Sequence, residues 1–384
     1  MQIPKEIDEI LRRLESAGYE AYLVGGCVRD RCMGKEPHDY DVTTSAFPNE
    51  MKRVFITERV IETGLKHGTL TVLTAIGGVE ITTFRQEGSY SDHRHPDQVQ
   101  FTRALKEDLA RRDFTVNAMA MDRRGVIADP FGGQADLADG IIRCVGDPRR
   151  RFEEDALRIL RGLRFSSRLG FAIAEETAAA MEEKAPLLHF IAQERIFSEL
   201  CGLVLGKDCA AVLHRHRRVV QTVLPELSLD GALERLKGTP AKETLRFAAL
   251  LMDSGEETAG VVLSRLKVPT AFRKEVLLFI RESPKPCEKT KKAVHARCAR
   301  IGAEAFLKLA VFWGKDEFYA QTVAELKKEK ACLSLKELAV DGKDIQALGY
   351  SGTAVGQALN ILFEKVITEE LPNQKELLLS YIKK

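Results

Sequence analysis

Asp39 and Asp41 lie one residue apart in His38-Asp-Tyr-Asp-Val42, shortly after the glycine turn of Leu23-Val-Gly-Gly-Cys-Val-Arg-Asp30. Residues two apart on a strand point to the same face, so both carboxylates are expected to grip the same Mg²⁺ ions. Phosphoryl transfer needs that arrangement, because metal charge activates an attacking hydroxyl and neutralises the phosphate and its leaving group. An Asp-x-Asp pair alone is also what two solvated acids at a strand end look like. The neighbouring residues decide between the two.

Gly25-Gly26 falls between a strand pattern and a helix pattern, where bare backbone N–H groups and the helix dipole favour an anion. Arg29, one helical turn on, adds a cation that would help cradle a triphosphate. Glu80 lies on an alternating segment and would supply a third carboxylate if sheet pairing brings it beside Asp39 and Asp41; an exposed glutamate is the plain alternative. In Asp108-Leu-Ala-Arg-Arg-Asp-Phe-Thr-Val-Asn-Ala118, Arg111 and Arg112 can neutralise phosphates, with Asp113 expected to orient one of them through a bidentate pair. Asn117 reads as a local structural hydrogen bonder.

The segment Arg151-Phe-Glu-Glu-Asp-Ala-Leu-Arg-Ile-Leu-Arg-Gly-Leu-Arg-Phe165 spaces Asp155, Arg158 and Arg161 by three as one polar stripe, against an apolar stripe of Leu157, Leu160 and Leu163. A salt-bridged surface helix would look the same. As a base reader, Arg donates and Asp accepts, which matches cytosine N3 with its N4 amine and adenine N1 with its N6 amine. Uracil and guanine present the opposite pattern, and a mismatched buried polar group costs about 1–3 kcal/mol. A site built on Asp155 and Arg158 would thus accept CTP and ATP and reject UTP and GTP.

Certain elements must position these groups. Ile7, Ile10, Leu11 and Leu14 recur at helical spacing between Pro4 and Gly18. Tyr22–Val24 and Tyr40–Thr43 read as strands, Cys27–Met33 as a helix start. Gly68–Thr74 and Val79–Phe84 read as a hairpin joined through Gly77-Gly78. After about Gly146 helical patterns take over, at 153–168, 174–184 and 194–204, and strands are no longer expected. The fold class is α+β: a small head with a mixed, largely antiparallel sheet, then a long all-helical arm.

With 384 residues and 30% charged residues at a net charge of +2, the chain has room for two to four modules and any nucleic-acid footprint must be local. Nine Lys/Arg face three Glu between 271 and 300, and eight face four acids between 141 and 170. The eight cysteines have neither Cys-x-x-Cys spacing nor a regular framework, which fits reduced thiols in the cytoplasm and argues against zinc. No apolar run reaches the ~20 residues of a membrane span, and no signal peptide is indicated.

Together these motifs resemble the class II tRNA nucleotidyltransferases, or CCA-adding enzymes, and the related bacterial poly(A) polymerases. The resemblance runs in order through the Gly25-Gly26 turn, Asp39-Tyr-Asp41, Thr63-Gly-Leu-Lys-His-Gly-Thr69, Arg111–Ala118, Asp129-Pro-Phe-Gly-Gly133, Glu154–Arg161 and Glu194-Arg-Ile-Phe-Ser-Glu-Leu200. It implies a polymerase β-like nucleotidyltransferase head (1–145), a neck that recognises the base (146–205), and a helical body (206–331) and tail (332–384) that hold the acceptor arm and 3′ end of tRNA. It further implies Mg²⁺ on Asp39 and Asp41 and a third acid at Glu80. Gly26, Arg29, Arg112, Arg161 and Arg164 would contact the nucleotide, and Asp155 with Arg158 would form the protein template. The basic run from Arg273 to Arg300 is expected to meet phosphates.

The polar loop Arg85–Phe101 is full length, which in this family favours complete CCA addition over a CC-adding specialist. Poly(A) synthesis, an A-adding specialist, a catalytically silent RNA-binding module and a sugar-nucleotide transferase remain the alternatives. Protein partners and oligomeric state are not legible.

Overall fold

The computed structural model describes residues 3–87, 99–314 and 317–383, in two compact units: residues up to Leu229 with Arg265–Lys267, and Asp230–Ser264 with residues from Val268 on. The first unit opens with α1 (Lys5–Ser16), whose Ile7, Ile10, Leu11 and Leu14 are all buried, as their spacing predicts. There follow β1 (Ala21–Val24), α2 (Gly26–Cys32), β2 (Asp41–Thr44), α3 (Pro48–Val54), β3 (Val60–Ile61), β4 (Thr69–Thr74) and β5 (Gly77–Thr83). After them come β6 (Arg85–Glu87), β7 (Val99–Phe101), α4 (Leu105–Ala110), β8 (Ala120–Met121) and β9 (Ile127–Ala128). Residues 88–98 of the polar loop lie outside the described residues; β6 and β7 at its ends pair antiparallel.

Seven strands form one sheet in the order β3-β4-β5-β2-β1-β8-β9. Only the β2–β5 pair is parallel, so the sheet is mixed and largely antiparallel. Its two faces divide the labour. Leu23, Val42, Ile81 and Leu70 lie in register across four strands, nearly inaccessible, and pack with Ile7, Leu11, Met51 and Phe55 from α1, α3 and the residue after it. One residue along each strand, Val24, Asp41 and Glu80 lie in register on the opposite face.

Two local expectations change. The strand begins at Asp41, and Asp39 lies in the bend before it, so strand alternation does not govern the pair. Gly77 and Gly78 are not the hairpin turn: they pair with Thr74 and Leu73 inside the ladder, and Ala75-Ile76 makes the turn. Gly77 has φ 116°, a conformation that a side chain would strain.

The helical part of the unit contains α5 (Gly133–Asp139), β10 (Ile141–Ile142), α6 (Pro148–Glu154), α7 (Leu157–Leu169), β11 (Ala172–Ile173), α8 (Glu175–Lys184) and α9 (Gln193–Val204). The continuous helix expected through residues 153–168 is broken. Asp155 is extended (φ −140°, ψ 101°), and its carboxylate accepts the Leu157 N–H at 3.1 Å, a short polar side chain competing with the helical ladder. The apolar stripe holds, with Leu157, Leu160 and Leu163 all buried. β11 pairs in parallel with β10, a two-residue strand where none was expected.

The second unit is helical throughout its described residues, as expected. One core gathers Val294, Cys298, Phe306, Tyr319 and Leu326, with the Phe306 and Tyr319 rings edge to face at 5.5 Å. Another gathers Leu338, Ile345, Leu362, Ile367 and Leu378. No described helix is long and apolar enough to cross a membrane.

The Asp129-Pro-Phe-Gly-Gly133 motif earns its glycine by close packing. Asp129 accepts the N–H groups of Gly133 and Gln134 at 2.7 and 2.8 Å, and a Cβ on Gly133 would lie 2.2 Å from the carbonyl oxygen of Thr115. That partner is backbone and cannot swing away. Gly133→Ala should therefore cost about 1–3 kcal/mol in urea unfolding; a change below about 0.5 kcal/mol, the range of ordinary surface substitutions, would contradict the packing argument.

Candidate active site

Asp39, Asp41 and Glu80 line one cleft of about 530 Å³ together with His38, Tyr40, Gly78 and Val79. Parallel pairing of β2 with β5 sets Asp41 directly opposite Glu80, as the sequence reading required for a third acid. The Asp41 carboxyl opens into the cleft but is ringed by protein. Burial, followed by the charges of Glu80 and Asp39, pushes its pKa above the usual carboxylate range, while Arg112 pulls it down. Among the described residues no three His, Cys, Asp or Glu close around a common point as a complete metal cage. Hard carboxylate oxygens with open positions fit a hard divalent cation that binds through one or two carboxylates plus substrate phosphates.

The glycine turn follows the strand that pairs with Asp41. Gly25 follows Val24, the register partner of Asp41, and has φ 74°. A Cβ there would be strained and would approach the Arg112 Nη1 to 3.2 Å. Gly26 begins α2, whose Arg29 donates from Nη1 to the side-chain Oδ1 of Asn117 at 2.8 Å and from Nε and Nη2 to Asp30. Arg29 and Arg112 thus flank the turn.

The partner of the adjacent arginines differs from expectation. Asp113 does not orient Arg111 or Arg112; Asp108 does. It is fully buried, and it accepts from Arg111 at 2.9 and 3.0 Å and from Arg112 at 3.3 Å. Thr43 and the Arg85 backbone N–H also reach it. On a short helix continuing into Arg111, positions three and four beyond Asp108 return to its side, whereas Asp113 points past the turn. Burial raises the Asp108 pKa, but the two arginines outweigh it and hold it below the usual range.

Asp113 instead accepts from Arg161 Nε at 2.8 Å, 48 residues along the chain, within an ion pair whose Nη2 lies at 2.7 Å. It also accepts the Phe114 N–H at 2.9 Å and Asn117 Nδ2 at 3.3 Å. Asn117 is thus the local hydrogen bonder expected, four residues from Asp113, and it also links that acid to Arg29. Gly162 permits this approach, because a Cβ there would stand 3.0 Å from Phe114 and 2.2 Å from Met181. Burial pushes the Asp113 carboxyl up, but the Arg161 guanidinium more than compensates, leaving it low; Asp113 in turn raises Arg161. Arg164 lies beside Glu199 at 3.1 Å, and burial lowers its pKa.

Asp155 and Arg158 meet different partners. Arg158 is buried, donating to Glu154 at 2.9 Å and to the carbonyls of Arg151 and Arg111 at 3.2 and 3.1 Å. Asp155 faces Arg195 at 3.5 Å. Sequence reasoning missed Asp108, Glu154, Arg195 and Glu199 as supporting residues, although all four stand inside the quoted motifs. In the second unit's basic run, Arg281, Lys291, Arg297 and Arg300 each meet a glutamate.

A model of the "Poly A polymerase head domain" matches residues 21–143, and a tRNA nucleotidyltransferase domain 2 model matches residues 239–382. The head is thus that of a nucleotidyltransferase. The chain is 36% identical to the CCA-adding enzyme of Enterococcus faecalis, covering 100% of this chain and 97% of that one. It is 38% identical to the CCA-adding enzyme of Levilactobacillus brevis, covering 99% and 98%. A crystal structure of the Bacillus stearothermophilus CCA-adding enzyme in complex with CTP superposes with a TM-score of 0.81 at 30% identity, covering 100% and 97%. This chain belongs to the CCA-adding enzymes, the tRNA nucleotidyltransferases.

The depressed Asp113 pKa gives a stability test with a definite sign. A carboxylate whose folded pKa lies below its unfolded value stabilises the fold above about pH 4, and the contribution disappears as pH falls through the folded value. Asp113→Asn should lose roughly 1.5–3 kcal/mol at neutral pH. In urea unfolding, the gap from the parent chain should narrow below about pH 4. A gap unchanged with pH would mean that the charge on Asp113 contributes nothing.

Proposed function

We propose that this chain adds C, C and A to the 3′ end of tRNA from CTP and ATP without a nucleic-acid template, releasing pyrophosphate. Full-length similarity to CCA-adding enzymes from several bacteria carries the reading. The 3′-hydroxyl attacks the α-phosphate, the new Pα–O bond forms, and the bond to the bridging oxygen of the β-phosphate breaks.

Asp39 and Asp41, with Glu80 opposite, would hold Mg²⁺, which supplies the charge that lowers the proton affinity of the hydroxyl and neutralises the phosphates. The Gly25-Gly26 turn with Arg29 and Arg112 takes the triphosphate, and Arg161 and Arg164 extend that positive array. Asp155 and Arg158 read the base edge. To do so Arg158 must exchange Glu154 and two carbonyls for the base, and Asp155 must release Arg195. The separate core of residues 332–378 supports a tail distinct from the body, within a division of head 1–145, neck 146–205, body 206–331 and tail 332–384. Body and tail would hold the acceptor arm through charges such as those between Arg273 and Arg300, where the exposed ion pairs of Arg281, Lys291 and Arg300 exchange readily for phosphates. A reduced cytoplasmic setting suits the eight cysteines, none of which forms a disulfide among the described residues.

With tRNA lacking its terminal CCA as primer, CTP and ATP should be incorporated to a defined CCA end, and oligo(A) should not be extended. Unlimited A addition would indicate a poly(A) polymerase, and addition stopping after CC a specialist. Asp39→Ala or Asp41→Ala should abolish incorporation while leaving tRNA binding nearly unchanged; retained turnover would sink the acid assignment. Asp155→Ala and Arg158→Ala should admit UTP and GTP, shifting discrimination by about ten- to a hundredfold. Rejection at parental ratios would remove the pair from base reading.

A further inference from the structure

Phe165, at the neck end of the site, is half-buried, and three guanidinium carbons stand over its ring: Arg164 at 4.9 Å, Arg161 at 5.5 Å and Arg29 at 5.6 Å from the centroid. Two come from α7 itself and the third from α2, across the glycine turn. The fully buried Phe114 packs edge to face on the same ring, with centroids at 5.9 Å and planes at 80°. Three like charges converging on one point repel, so something must hold them there. Carboxylates hold two of them: Asp30 takes Arg29 and Asp113 takes Arg161. Arg164 is different. Its Nε lies 3.1 Å from Glu199 Oε2 but out of hydrogen-bonding alignment, and both atoms are buried without a hydrogen-bond partner. The arginine least fixed by hydrogen bonds is the one nearest the ring.

An aromatic face attracts cations through its quadrupole, and more strongly where water is excluded; an aliphatic side chain of similar bulk does not. We propose that Phe165 is a positioning residue whose ring gathers Arg29, Arg161 and Arg164 into one array that meets the triphosphate. Phe114, next to Asp113, fixes the ring edgewise, so the aromatic contact and the Asp113 contact hold the same array from two sides. The inference rests on the nucleotide-transfer reading of this site.

The test is calorimetric binding of CTP, ATP and inorganic triphosphate to the full chain and its variants. Phe165→Leu should weaken all three by roughly five- to thirtyfold, the equivalent of losing one or two cation–π contacts. Phe165→Tyr, which keeps the π face, should stay within about threefold of the parent. Loss from Phe165→Leu should be smaller in an Arg164→Ala background, because the ring acts through that arginine. If Phe165→Leu lowers the melting temperature enough to obscure binding, Phe165→Met is read in its place. Equal binding by the parent and the Leu variant, equal losses in the Leu and Tyr variants, or fully multiplicative losses with Arg164→Ala would overturn the proposal. If the parent binds inorganic triphosphate in a Phe165-dependent way but neither nucleotide, the array stands and the nucleotide-transfer reading falls. No binding of any probe by the parent overturns both.

Discussion

Asp113 forms an ion pair with Arg161, accepting from its Nε, and also accepts from Asn117 and from the backbone N–H after it, while nearly closed off from solvent. A carboxylate in such a place would protonate or destabilise the fold without compensation, and Arg161 supplies it. This single pair joins the segment after α4 to α7. Through Asn117 it also fixes Arg29 at the start of α2. Three segments widely separated in sequence thus converge on one buried oxygen pair. Asp108 does the same for Arg111 and Arg112, and Arg112 in turn reaches both the Gly25 turn and the field around Asp41. The positive side of the site is therefore held by buried acids that need not touch substrate.

The negative side is built differently. Asp41 and Glu80 owe their position to strand register, with hydrophobic partners one residue along each strand locking the alternation. Around Asp41 burial and the two neighbouring acids outweigh Arg112 and work against its charge. That imbalance suits a cation and disfavours an anion, whereas the glycine turn and arginines beside it have the opposite preference. A metal-bound triphosphate satisfies both at once.

Much of this was legible in the sequence. The α1 stripe, the two strands of the hairpin and the glycine turn follow from alternation and turn chemistry, which are local; the hairpin's turn residues, the place of Asp39 before its strand and the Asp41–Glu80 register do not. The breaks in that reading are informative. Asp155 looked helical by spacing but competes for backbone N–H groups, a side-chain effect that periodicity does not register. Asp113 looked like the partner of its neighbours in sequence, yet helix geometry gave them to Asp108, three and four residues earlier. The Arg161–Asp113 pair spans 48 residues and could not be read from spacing at all.

The central claim is that bond making and nucleotide holding reside in separate charge systems, one acidic on the sheet and one basic organised by Asp113. Single-turnover incorporation of CTP into tRNA lacking CCA, measured across CTP concentrations, tests it directly. Asp41→Asn should depress the maximal rate by at least about a hundredfold with little change in half-saturation, whereas Asp113→Asn should raise half-saturation by about tenfold or more with a maximal rate within a few-fold of the parent. If both substitutions moved the same parameter, the two systems would not be separable, and the division of roles drawn from this structure would be wrong.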